Sequence, residues 1–506
     1  MQKRSIIALA LVVLILLSAC SRGNDESVDI QMYVAEPTGV VEPEAPVEEP
    51  APHTPEIDTA TEEPAEPYYI WEIWSLAYVD VEAWRDDIVQ FRNFVFRVHP
   101  KFVDSAISGL PQNIQMGAAF DEHLDGLLEK VPHLTKLEIL IELQRAVALL
   151  EDNHFLFGAA PPRIQNPNVT TFILELGEYR YPLEFRWFYN GHYLYRSADN
   201  EDVIPALNRR LVAINDIPVE NVFAEFTHFW SIENIYDARN SFALNLNSPG
   251  ILYALGVLDG RRAIYTFLGD GGELITVNMT ESLRVPLNVA AHWHNIFHTL
   301  LTDNRNYGEL PLFLQNSHQA HWYTFIEEYG VLFIRINSFF IWYDTDFITH
   351  VKELVSEKGD NLRATIIDAR NNDGGDAEPY QSLFDVLAEV TPPGKLFYFM
   401  NEGSLSASLL AGGQLYGLGA TIVGQPSGQL TDFYAFAGSG VEFNISLRNT
   451  LAHTSVSNRF HTIRNNGVVA DDLIFRPHIL IEYTIGDWIS NHDPYLEYVR
   501  KLLRNI

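Results

Sequence analysis

The chain has a single cysteine, Cys20, in 506 residues, which excludes an internal disulfide. Its N-terminal apolar run is too short to cross a bilayer, extending for about a dozen residues after Lys3 and Arg4 where roughly 20 are needed. Basic residues are scarce, 34 Lys and Arg against 66 Asp and Glu for a formal charge of -32. Such an acidic balance argues against nucleic acid or anionic lipid as a partner. From Asn24 to Pro67 there is no Lys or Arg at all. No internal repeat is visible.

What is present begins with the layout of a secretory signal, a basic start followed by the short apolar run. That run ends in Leu17, Ser18, Ala19 and Cys20, which resembles the lipobox at which bacterial lipoproteins are cut and lipidated. The resemblance implies a signal peptide over 1–19, a lipid on Cys20, and a location outside the cytoplasmic membrane in a bacterial-type envelope, with the membrane reached through that lipid. Residues 20–67, rich in Pro, Glu, Ala and Thr, read as a disordered, self-repelling tether. The remaining about 440 residues are too many for one small core, and two or three packed units are expected.

Trp84, Ile88, Phe91, Val95 and Val98 recur at helical spacing until His99-Pro100 stops the pattern. A second helix is expected near Phe120 to Val131. A third follows a capping box formed by Thr135 and Glu138. Together they make a small helical unit over 68–160. Over 161–325 the patterns shorten and alternate, giving mostly strand with some helix, and Arg209 to Phe223 looks like the strand and turn of a PDZ-like module. From 326 to 506 strands at Val331–Ile336, Ala364–Asp368, Lys395–Met400 and Ala420–Val423 alternate with helices. The fold class is therefore α/β, with a mostly parallel sheet and crossover helices.

In such sheets functional sites lie beyond the carboxyl ends of the strands. Two loops share that edge. ARNNDGGD (Ala369 to Asp376) carries paired glycines that let a backbone turn expose its amides. NEGSLSAS (Asn401 to Ser408) leads straight into a helix, where free N–H groups and the helix dipole favour a developing oxyanion. The pair suits acyl transfer, although each loop by itself is also a common turn or helix cap.

IIDARNNDGG, NEGSLSASLLAG and ATIVGQPSGQ, in this order, resemble the C-terminal-processing (tail-specific) serine peptidase family. His99-Pro100, Asp152 to His154 and DPYLE (Asp493 to Glu497) are similar to its lipoprotein members. The resemblance implies a ClpP/crotonase-like core, Ser406 as nucleophile, and an oxyanion hole from the Ala407 amide and that of Gly374 or Gly375. The tail-specific branch places a lysine base after the Gly-Glu-x-Thr turn, where Gln429 or Leu430 stands here. The resemblance is therefore closer to the tricorn-like Ser/His branch, which implies His154 as base, with His99, His453 and His461 as rivals. The third member would be Asp472 or Asp471.

Three departures stand out: Glu-Asp-Asn-His-Phe for Gly-Asp-x-His-Thr, Leu409 for a glutamate, and Pro477-His478-Ile479 for Pro-Asp-Ile. The expected function is a membrane-anchored serine endopeptidase of peptides or unfolded protein tails, needing no cofactor or metal. The alternatives are a catalytically inactive peptide-binding lipoprotein of the same fold and a hydrolase of another ester or amide.

Overall fold

The computed structural model describes residues 69–155, 157, 176–177, 179–284, 310–339, 345–436, 443–450, 452–468 and 471–504. The expected signal peptide, Cys20 and the expected tether lie outside the described residues.

The helical unit forms where the apolar spacing places it. After α1 (Ile70–Leu76), α2 (Val81–Val98) is capped by Asp80, whose carboxylate accepts the Ala83 N–H, and buries Trp84, Ile88, Phe91 and Val95. Proline at its first turn starts α3 (Pro111–Lys130). α4 (Lys136–Ala148) opens on the expected capping box: Glu138 N–H donates to Thr135 Oγ1 at 3.3 Å, and Thr135 N–H donates to Glu138 Oε2 at 2.7 Å. Its chain then turns at Asp152 and His154.

Next comes an antiparallel sheet of β1 (Leu183–Phe188), β2 (Gly191–Ser197), β3 (Arg210–Ile214), β4 (Ala263–Leu268) and β5 (Leu274–Met279), paired in that order. Asn215 and Asp216, both left-handed at φ 48° and 64°, turn β3 into a tight hairpin. Between β3 and β4 lie α5 (Val219–Phe229), α6 (Ile235–Asn245) and α7 (Pro249–Ala254). One apolar core runs from Trp84, Phe91 and Leu143 through Phe226 to Tyr265. The helical unit and this sheet thus share an interior.

The last part is built on a second sheet. Its strands are β6 (His321–Ile326), β7 (Val331–Ile336), β8 (Ala364–Asp368), β9 (Leu396–Met400) and β10 (Thr421–Gly424). The chain continues through the short strands β11 (Asp432–Ala435), β12 (Asn444–Ser446), β13 (His453–Ser455) and β14 (Arg459–Thr462) to β15 (Ile479–Leu480), which joins this sheet at its edge. The order is β15-β10-β9-β8-β7-β6, parallel throughout except for the antiparallel β6. The crossover helices are α8 (Thr345–Lys358), α9 (Gln381–Val390) and α10 (Ala407–Gly417). Alternation along the strands fills two cores. Leu332, Ile334, Ile367, Tyr398 and Ile422 pack with the crossover helices, whereas Val331, Phe333, Ile366, Phe397 and Val423 pack under α11 (Pro494–Arg504).

A buried charge network ties the strand ends to α11. Asp368 pairs with Arg335 at 2.9 Å, and Arg370 forks onto Asp493 at 3.1 and 2.9 Å. Burial alone would raise the Asp368 carboxyl, but the Arg370 and Arg335 guanidiniums outweigh it and hold it below the usual carboxylate range. Asp493 also caps α11 by accepting the Tyr495 N–H at 3.1 Å. The Asp-x-Arg and DPYLE stretches, 123 positions apart between Arg370 and Asp493, are thus the two halves of one contact.

Candidate active site

Ser406 follows β9 and stands at the N-cap of α10 with φ 52° and ψ -120°. An L-residue adopts that backbone only when its surroundings impose it. They do so here: Leu405 N–H donates to Asn372 O at 2.9 Å, Ser427 Oγ donates to Ser404 O at 2.7 Å, and Ser406 N–H donates to Gln429 Oε1. The Ser406 side chain makes no capping bond. Its Oγ lies instead 3.3 Å from His154 Nε2. The flanking serines are committed elsewhere: Ser404 Oγ donates to Ala369 O at 2.8 Å, and Ser408 Oγ is 2.9 Å from the Tyr398 hydroxyl.

His154 is held by its own turn. Asp152 accepts the His154 N–H through Oδ1 at 3.0 Å, and its Oδ2 is 3.1 Å from His99 Nε2. The imidazole stacks on Phe433 with centroids 6.1 Å apart. Burial pushes its pKa below the ordinary value, and the Asp152 charge opposes that only in part. The ring is therefore neutral near neutral pH, as a general base requires.

Of the two glycines open from sequence, Gly374 has its N–H spent on Asn372 Oδ1 at 2.9 Å. What Gly374 supplies is space, because a Cβ there would lie 2.6 Å from Ser406 Cβ and 3.1 Å from Ala407 N. Gly375 is bridged to Phe339 through its neighbours, Gly374 O and Asp376 N–H. Its own N–H faces away from that strand and meets no acceptor among the described hydrogen bonds. The Ala407 N–H opens α10 and has no intrahelical acceptor. Gly375 and Ala407 are thus the candidate oxyanion donors.

The expected third member is not brought to the imidazole. Asp472 is half-exposed and forks onto Arg476 at 2.5 Å, a pairing that holds its carboxyl down at about 2, and Asp471 is exposed. The arginine four positions along claims the carboxylate at the surface. His154 Nδ1 faces Gln429 Nε2 at 3.2 Å instead. Behind Gln429 stands buried Glu233, which accepts the Leu430 N–H at 2.8 Å and lies 3.4 Å from Gln429 Nε2. Burial, reinforced by the Asp152 charge, raises the Glu233 carboxyl well above its usual range.

His99 and His461 have other partners. His99 is buried against Asp152 and accepts the Lys101 N–H at 3.2 Å. His461 stacks on Phe433 and is pushed down to about 4, chiefly by burial. His453 sits on β13 opposite Ser446. Buried Lys101, not singled out from sequence, donates to Leu150 O.

Asp152, His154 and Glu233 each offer a ligand atom, all within 4.8 Å of one another, and could hold a divalent cation. Their oxygens already accept hydrogen bonds from His99, His154, Asn153 and Leu430. Glu233 also lines a cleft of about 570 Å³, together with Arg145, Glu151, His228 and Asn234.

No protein-family model matches the chain, and no curated protein does. Solved structures do. Mature CPAF complexed with lactacystin is 13% identical with a TM-score of 0.55 over 84% of this chain and 98% of that one. Mature CPAF alone is 15% identical, again with a TM-score of 0.55, over 84% and 97%. A photosystem II D1 C-terminal processing protease is more remote, with a TM-score of 0.36 at 12% identity over 83% and 97%. At such identities the likeness establishes a CPAF-like mixed α/β fold.

Proposed function

We propose that the chain is a serine endopeptidase that cleaves peptides or unfolded protein tails through an acyl-enzyme. The observation that carries this reading is the 3.3 Å approach of His154 Nε2 to the uncapped hydroxyl of a backbone-strained serine. Ser406 Oγ attacks the scissile carbonyl as its proton passes to His154 Nε2, and the Ala407 and Gly375 N–H groups receive the oxyanion. The imidazolium then protonates the leaving amine, and water activated by the same ring releases the acyl group. The CPAF-like fold supports a peptidase, and the approach of His154 Nε2 to Ser406 Oγ supports the tricorn-like Ser/His branch of the tail-specific family. The parallel sheet is read as ClpP/crotonase-like and the antiparallel sheet as PDZ-like. The lipobox-like run at Cys20 supports a lipid-anchored protein displayed outside the cytoplasmic membrane.

Turnover of a casein-like unstructured substrate by the soluble body, lost in Ser406→Ala with the melting temperature unchanged, is the test. Full turnover by that variant would remove the reading. One observation favours the inactive peptide-binding alternative: the group at His154 Nδ1 is an amide N–H where a working triad has an acceptor.

A further inference from the structure

Gln429 stands between the two candidate reacting residues, touching Ser406 through its backbone N–H and His154 through Nδ1. A carboxamide has one acceptor end and one donor end. The Ser406 N–H must meet the oxygen, since two N–H groups repel, and this fixes the amide's direction. Nε2 then faces Asn153 Oδ1 at 3.0 Å, His154 Nδ1 at 3.2 Å and Glu233 Oε1 at 3.4 Å. A ring nitrogen that accepts from an amide carries no hydrogen. A neutral imidazole has only one N–H, so its proton sits on Nε2, against Ser406 Oγ. In that tautomer the ring donates to the serine and cannot take its proton.

We propose that the Gln429 carboxamide is a positioning residue that sets the His154 tautomer, its two orientations being the latent and the working states of the site. Turned by half a rotation, its oxygen accepts a hydrogen from Nδ1, and Nε2 is left free to take the Ser406 proton. The shell around it can serve either state. Glu233 Oε1 lies 3.4 Å from Gln429 Nε2, and burial and the Asp152 charge both push its carboxyl toward the protonated form, which donates to an incoming oxygen. Asn153 Nδ2 is buried without a close hydrogen bond, so that amide can turn as well at the cost of its approach to Asp237. What opposes the turn is loss of the Ser406 N–H bond together with repulsion between that N–H and the incoming NH2, which makes the turned orientation the minor one.

The proposal rests on reading Ser406 and His154 as nucleophile and base, and its test does not depend on turnover alone. Nitrogen-15 correlation spectra of the histidine rings report the tautomer directly, the His154 signals being those lost in His154→Gln. The expected result is hydrogen on Nε2 in the resting wild type and on Nδ1 in Gln429→Glu, whose carboxylate can only accept. General-base catalysis contributes about a hundredfold or more, so Gln429→Glu should also raise kcat about tenfold with KM little changed. Hydrogen on Nδ1 in the resting wild type overturns the proposal. So does a Gln429→Glu protein that moves the hydrogen yet turns over no faster. If Ser406→Ala retains activity, the nucleophile reading fails while the ring spectra still decide the tautomer.

Discussion

Adding one methyl group at Gly374 should stop turnover without unfolding the protein. The Cβ of Gly374→Ala would lie 2.6 Å from Ser406 Cβ, where carbon atoms prefer about 3.5–4.0 Å. Relief of that overlap requires a displacement of about 1 Å, and a misplacement of this size at a reacting atom costs about a hundredfold in rate, or about 2.7 kcal/mol of barrier. The backbone at φ 114° adds a folding cost of about 1–3 kcal/mol, because an L side chain is strained there. Gly419 separates the two effects: its φ is 87° and a Cβ would meet nothing within 4 Å. Gly419→Ala should therefore lose about 1–2 kcal/mol of stability and keep its kcat. Steady-state hydrolysis of a fluorogenic peptide and thermal melting on both variants give the comparison. A Gly374→Ala enzyme with more than half the wild-type kcat would refute the close packing of the glycine turn on the nucleophile.

Asp493→Ala leaves Arg370 sharing Asp368 with Arg335, one buried carboxylate for two guanidiniums, and should cost about 3–5 kcal/mol in denaturant unfolding. Ser404→Ala and Ser408→Ala each remove a buried hydroxyl partner and should cost about 1–3 kcal/mol while turnover persists. Because burial depresses the His154 pKa, activity should survive below the ordinary histidine value of about 6.5 and fall only at more acid pH; a limb above 6.5 would contradict the buried neutral ring. His461, pushed down to about 4, contributes stability that is complete above about 6.5 and lost as pH falls toward 4, at most about 3 kcal/mol before screening at this half-buried site. His461→Phe should flatten that part of the stability–pH curve. Intact mass of membrane-extracted protein should show a lipid-modified Cys20 at the mature N-terminus, and Cys20→Ser should release or misprocess the chain.

Local signals were legible where local physics decides. Thr135 and Glu138 specify their capping box whatever surrounds them, and strands such as Val331–Ile336 are apolar on both faces because both are covered. The turn that carries Ser406 was legible because a strand, a tight loop and a helix follow one another within a few residues. The three helices between β3 and β4 were harder to see, since their apolar faces belong to a core shared with distant segments. The partner of His154 was out of reach for a related reason. Asp471 and Asp472 were the acids near the expected position, and nothing local showed that Arg476 would hold Asp472 at the surface. Glu233 reaches the site across 196 positions from Gln429, in a turn whose sequence resembles any helix start.

The central claim, that His154 activates Ser406 as a nucleophile, is tested most directly by covalent trapping. An activated phosphonate that reacts only with an activated serine, followed by peptide mapping, should mark Ser406 alone in the wild type. In His154→Ala the labelling rate should fall by orders of magnitude, as expected when a triad base is removed. Labelling at another residue, or equal rates with and without the imidazole, would contradict the account.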